Sequence, residues 1–102
     1  MSVVEHPSHY QRDGRKECIV EMQERFGSYI TILFDLTNAY KYLYRAGCKE
    51  NNPEDQDIAK ARWYYNHAMS LYKNDIKLDS KECKLLNCIR KELRKYDKSG
   101  TC

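Results

Sequence analysis

The chain has 102 residues, of which 32% are charged and 41% hydrophobic, and its formal net charge is +3. That length fits one small domain, residues 1–102, with a modest core, so self-association into a homo-oligomer is an expected further source of stability. No apolar run approaches the ~18 residues a membrane-spanning helix needs, so no membrane partner is expected. The charge is modest and no helix-turn-helix is legible, so nucleic acid is not an expected partner either.

Residues 1–16, "MSVVEHPSHYQRDGRK", are punctuated by Pro7 and Gly14 and show little periodicity, which predicts an irregular arm. The arm has no apolar segment of a secretory signal, so a cytoplasmic location is expected. The five cysteines, Cys18, Cys48, Cys83, Cys88 and Cys102, are odd in number and form no C-x-x-C pair. They read as free thiols, most of them small buried residues. His6, His9 and Cys18 come nearest to a zinc ligand set, but their spacing fits no standard site, and no metal is expected.

A first helix is predicted in "ECIVEMQERF", with Ile19, Met22 and Phe26 on one apolar face and Gly27 at its end. A second runs from near Tyr29 to Ala46, capped by Ser28 and closed by Gly47. Asn52 followed by Pro53 opens a third, and Glu54, Asp55 and Asp57 fall in its first turn, where the helix dipole favours anions. It reaches about Tyr72, with Ile58, Ala61, Tyr65, Ala68, Met69 and Tyr72 on one face. The short connection predicts that the second and third helices form an antiparallel hairpin. Asp79 with Glu82 fits a capping box for a fourth helix over residues 79–96, whose core face is Leu85, Leu86, Ile89 and Leu93. The expected fold is all-α: a bundle of about four helices built on the central hairpin, preceded by the arm. From Lys73 onward there are nine Lys or Arg against five Asp or Glu, which makes the last helix basic and reads as a solvated face.

The segment "TNAYKYLYRAGCKE", residues 37–50, carries the functional signal. Lys41, Arg45 and Lys49 are spaced by four, with Asn38 extending the stripe backward, and no acid occurs between Asp35 and Glu50. Three cations on one face repel one another unless an anion or a distant carboxylate sits opposite. Arg can hold phosphate through two parallel hydrogen bonds and Lys adds a point charge. Tyr40, Tyr42 and Tyr44 flank the cations, and aromatic faces beside Arg and Lys are a usual composition for nucleotide contact. The plainer reading is that Leu36, Tyr40 and Leu43 pack inward while the other rings cover neighbouring surface. The third helix repeats the theme, with Lys60 and Arg62 beside Trp63, Tyr64 and Tyr65. The hairpin predicts that Arg45, Lys49 and Lys60 meet at one end. His67 is expected to be a packed or exposed histidine without a role.

The ordered set "HPSHY", "EC", "NAYKYLYRAGCK" and "DIAKARWYY" resembles a bacteriophage domain family of formerly unknown function whose members include a nucleotide kinase of a T7-like phage. The resemblance spans residues 6–65, and takes residues 17–72 as the family core. Its pattern falls on His9, Tyr10, Glu17, Cys18, Asn38, Lys41, Tyr42, Arg45, Gly47, Lys49, Lys60, Ala61, Trp63 and Tyr64. The kinase-type member is considerably longer, and this chain has no G-x-x-x-x-G-K-[ST] loop. The resemblance therefore implies nucleotide binding more than phosphoryl transfer, in the cytoplasm of an infected host cell. By analogy with small phage proteins that sequester nucleotide immune signals, it also suggests an anti-defence role.

The expected ligand is a nucleotide or nucleotide-derived signal. Lys41, Arg45, Lys49 and Lys60 would hold phosphate, Tyr10, Tyr42, Tyr44 or Trp63 would stack on the base, and Asn38 or His9 would read polar edges. No catalytic residue is assigned and no cofactor is expected. Three alternatives stand beside this reading. A nucleoside monophosphate kinase would use Mg²⁺, with His9 as its candidate base. A Mg²⁺-dependent all-α pyrophosphohydrolase would use "EMQE" at 21–24 and "EDQD" at 54–57, since carboxylates one turn apart can hold Mg²⁺. A host-protein interaction module would use the tyrosines as an interface.

Overall fold

The computed structural model describes residues 17–46 and 54–101, and the side chains of 17–46 and 55–97. Four helices follow one another: α1 Cys18–Phe26, α2 Ser28–Arg45, α3 Glu54–Leu71 and α4 Ser80–Thr101. The described residues contain no strand. The all-α bundle expected from periodicity is the observed fold, and among the described residues no helix is long and apolar enough to cross a membrane.

The corner between α1 and α2 is one residue long. Gly27 has φ 91° and ψ 168°, a conformation essentially closed to residues with a Cβ. Its N–H donates to the Gln23 carbonyl at 2.9 Å, closing α1, and its own carbonyl accepts from the Thr31 hydroxyl at 3.0 Å, opening α2. Gly27 therefore takes the cap position expected of Ser28. The Ser28 hydroxyl instead accepts from the Gln23 carboxamide at 3.3 Å, a bond across the corner.

The core is assembled from three helices. Ile32, Leu36 and Ala39 come from α2, Ile58, Ala61 and Ala68 from α3, and Leu86, Ile89 and Leu93 from α4. α2 makes its broadest contact with α3 and also touches α1 and α4. The fully buried alanines at 39, 61 and 68 leave room for the backbones of the hairpin to approach. Ala39, rather than Tyr40, continues the buried stripe of α2. One residue further on is a turn of ~100° about the axis, so Tyr40 is 45% exposed and not a core residue as expected. Leu43 packs against the core from the partly buried shell, as do Tyr65, Met69, Tyr72 and Leu85.

α1 buries none of its side chains, and Phe26 stands 60% exposed. Cys18 and Cys83 are also exposed free thiols and Cys88 is half-buried, against the expectation of buried cysteines; Cys48 and Cys102 lie outside the described residues. Asn52, Pro53 and Gly47, the expected punctuation between α2 and α3, lie outside them too.

The capping box at the start of α4 forms in both directions. The Asp79 N–H donates to Glu82 Oε1 at 2.9 Å and the Glu82 N–H donates to Asp79 Oδ1 at 2.8 Å, satisfying two helix-start donors. The second oxygen of Glu82 accepts from the Tyr29 hydroxyl, tying the start of α2 to the start of α4. α4 continues past Tyr96, the expected end, to Thr101. Leu86, Ile89 and Leu93 are the buried positions of its predicted core face.

A Cβ added at Gly27 would meet nothing within 4 Å, so the backbone conformation alone resists substitution. Gly27→Ala is expected to lower stability by about 1–3 kcal/mol. Urea denaturation followed by circular dichroism measures this, and an unchanged midpoint would show that the corner tolerates a Cβ.

Candidate functional site

α2 and α3 pair through a polar seam that runs beside the apolar core. Positions 35, 38, 42 and 45 recur at the 3-4-3 spacing of one helix stripe, as do 57, 60, 64 and 67 on the antiparallel partner. Asp35 meets His67 at one end and Arg45 meets Asp57 at the other. Tyr64 lies between, 6.0 Å centre to centre from the Phe34 ring and 5.9 Å from the Tyr42 ring.

Asp35 is fully buried on the face of α2 that carries Ile32, Leu36 and Ala39. His67 Nδ1 lies 2.6 Å from its Oδ2. With Asp35 ionised, the ring N–H is the donor. Oδ1 is also shielded from solvent and has no hydrogen-bond partner among the described residues. Burial pushes the Asp35 carboxyl above its ordinary value, and the hydrogen bond and charge of His67 pull it partly back. Trp63 stacks on the His67 imidazole at 5.2 Å and 5°, which fixes the plane of the ring. His67 is thus an oriented partner of a buried acid, a role its sequence neighbourhood did not reveal. The available signal was Asp35 itself, an acid at a core position of α2.

Arg45 Nε lies 3.9 Å from Asp57 Oδ1, close enough for charge attraction but too long for a hydrogen bond. Asp57 was expected as a helix-start acid. It is completely buried, because it lies on the side of α3 that faces α2, and it supplies a carboxylate opposite the cationic stripe.

Three cations gather around Tyr42. Lys41 Nζ lies 4.6 Å from the ring centre, Lys60 Nζ 5.4 Å and the Arg45 guanidinium carbon 5.5 Å, while Tyr64 stacks on the same ring at 10°. The negative faces of the ring attract each cation, but a single ring cannot cancel the repulsion among three. Asn38 is half-buried on the same stripe as Tyr42. Tyr44 points away: it is 76% exposed and stacks on Tyr40 at 6.3 Å, because two residues turn a helix by ~200°. The structure thus brings Lys41, Tyr42, Arg45 and Lys60 together, sets Trp63 beside His67, and leaves Tyr44 apart. His9, Tyr10 and Lys49 lie outside the described residues. Arg62 turns to the opposite side of α3, where it pairs with Asp97 of α4.

Glu21 forms a pair with Arg25 one turn later at 3.3 Å, and Asp57 is engaged in the seam. Among the described residues no three His, Cys, Asp or Glu side chains lie close enough to hold a metal ion.

Residues 4–66 match the family described as a protein of unknown function, DUF3310. The chain belongs to this family. The DUF3310 match covers well over half of the 102 residues, taking in α1, α2 and α3 as far as Asn66, and it ends before α4. It carries no activity with it. No curated protein and no solved structure matches the chain.

The folded state holds the Asp35 proton more tightly than the unfolded chain, whose carboxyl has the ordinary value of 3.8. The stability this contributes is complete below that value and is lost as pH rises through the raised folded value. Asp35→Asn keeps an acceptor for His67 without the buried charge. It should match or exceed the wild type in stability at pH 7, and its relative standing should decline as pH falls toward 4. His67→Ala should instead cost about 1–3 kcal/mol by leaving the buried carboxyl without its ring partner. Urea titrations across pH 4–7 check both, and a flat difference between Asp35→Asn and wild type would contradict the assignment.

Proposed function

We propose that this protein binds a nucleotide or nucleotide-derived signal at the α2–α3 seam and holds it without turning it over. Lys41, Arg45 and Lys60 take the phosphate. The ring pair Tyr42–Tyr64 offers the base a flat apolar surface, and the Asn38 carboxamide supplies polar recognition. The observation that carries this reading is the convergence of three cations on the Tyr42 ring, with Asp57 the acid facing Arg45. A bound phosphate relieves their mutual repulsion, and the charge-assisted bonds it accepts are the stronger class of hydrogen bond. Lys49, His9 and Tyr10 join the proposed site on the strength of the sequence pattern. Trp63 acts through His67 rather than as a stacking face, and Tyr44 has no part in this site.

The proposal extends to a phage-type protein that sequesters the ligand in the cytoplasm of an infected host cell; the phage origin rests on the resemblance of the sequence motifs, and the sequestering role on analogy with small phage proteins that hold nucleotide immune signals. It also extends to a homo-oligomer. Among the described residues the large apolar side chains that stand exposed, Val20, Phe26, Tyr29, Ile30, Phe34, Tyr40 and Tyr44, all belong to α1 and α2, and burial against a second copy would remove that surface from water.

Calorimetry against mono-, di- and cyclic nucleotides is the test. At least one should bind, and Lys60→Gln and Arg45→Ala should each weaken it roughly tenfold or more, the loss expected for a charge-assisted contact. Binding by none of them, or binding indifferent to both variants, would overturn the reading. Formation of a nucleoside diphosphate from the monophosphate, ATP and Mg²⁺ would replace holding with phosphoryl transfer.

A further inference from the structure

A second basic surface lies on the other side of α3, and the DUF3310 match does not reach the α4 half of it. Between α3 and α4 lies an open surface groove of about 560 Å³, lined among others by Arg62, Asn66, Asn87, Arg90, Arg94 and Asp97. The cations of these two helices are sorted by type. Every arginine of α3 and α4 lines the groove, and no lysine does; Lys91 and Lys95 face solvent. A guanidinium differs from an ammonium in offering a planar fork, which suits it both to the interhelix contacts of Arg62 and Arg90 and to holding an oxyanion.

The groove is also prepared for one. Arg90 Nε donates to the Tyr65 hydroxyl at 2.9 Å and its Nη2 to Met69 Sδ at 3.5 Å. These contacts occupy one edge of the guanidinium and fix its plane. The end formed by Nη1 and Nη2 keeps its remaining hydrogens for a ligand in the groove. Arg62 is neutralised by Asp97 and also donates to the Leu93 carbonyl at 3.4 Å. Arg90 and Arg94 have no acid partner among the described residues, so the positive charge of the groove rests on them. They stand one turn apart, ~6 Å along the helix. The exposed carboxamides of Asn66 and Asn87 and the Asp97 carboxylate add both donors and acceptors. Leu93 and Tyr65 are the apolar contributors, too few to hold a hydrophobic ligand.

We propose that the α3–α4 groove is a second binding site, for a small phosphorylated polyol: the phosphate lies between Arg90 and Arg94, and the hydroxyls meet Asn66, Asn87 and Asp97. A free sugar phosphate and the ribose-phosphate part of a nucleotide share this chemistry. The site is independent of the one at Tyr42.

The test uses the full chain labelled with ¹⁵N and titrated with ribose 5-phosphate, adenosine 5′-monophosphate, ribose and inorganic phosphate. Ribose 5-phosphate should shift the side-chain amide signals of Asn66 and Asn87 and the Arg90 Nε–H signal. Arg94→Gln should weaken that binding roughly tenfold or more, and Lys91→Gln, on the solvent side of α4, should leave it unchanged. Arg94 holds nothing else in place, so this variant keeps the fold. Asn87→Asp, exposed and equally harmless to folding, should weaken binding by placing a like charge near the phosphate. If adenosine monophosphate shifts the same signals more strongly, the natural source is a nucleotide; if it binds more weakly, a sugar phosphate is favoured. The proposal fails if ribose 5-phosphate leaves these signals unmoved. It also fails if inorganic phosphate binds as well as the sugar phosphate, or if Arg94→Gln binds like wild type.

Discussion

Asp35 is the constraint around which the hairpin is arranged. A carboxylate in the apolar face of a helix is costly to desolvate, and it is tolerated where a partner meets it. His67 is that partner. Sliding α3 by one turn would put Trp63 or Leu71 opposite Asp35, and neither can take the place of the imidazole. Arg45 and Asp57 impose the same restriction from the far end of the seam with the charges reversed between helices. Two polar pairs of opposite sense therefore select one register from those that the apolar stripe would permit, a role known for buried polar groups in coiled coils.

That register creates the cationic cluster. Once Asp35 faces His67, Tyr42 falls beside Lys60, and the charges of two helices converge on one ring. Neither helix carries the cluster alone. Beside this cluster the hairpin is held together by Ile32, Leu36, Ala39, Ile58, Ala61 and Ala68. The apolar core and the cationic cluster thus occupy adjacent stripes of the same two helices.

α4 plays a different part. It completes the core through Leu86, Ile89 and Leu93, and its attachment is reinforced at both ends. Glu82 reaches Tyr29 near its start, and Asp97 reaches Arg62 near its end. Between these ties, Arg90 is fixed by Tyr65. The same contacts that dock the helix shape the arginine groove, so a basic helix that reads in sequence as a solvated face has one side given to solvent and one to a defined concavity.

The sequence by itself determined the helices and much of the core. The capping box of Asp79 and Glu82 acts over three residues, and the stripe of Leu86, Ile89 and Leu93 follows the period of one helix; such signals are local and survive without knowledge of the fold. Gly27 was legible as a break, but not as a corner that serves both helices. The gathering of Arg45 and Lys60 was legible because a short connection makes an antiparallel hairpin. Tyr40 misled because an aromatic ring at helix spacing resembles a core position, and only the neighbouring alanine's burial decides which one turns inward. His67 with Asp35 and Arg45 with Asp57 depend on residues 32 and 12 apart in sequence coming face to face. The tertiary structure alone decided these, since the polarity of a buried side chain is explained by the residue it meets across the helix interface and not by the residues beside it in the chain.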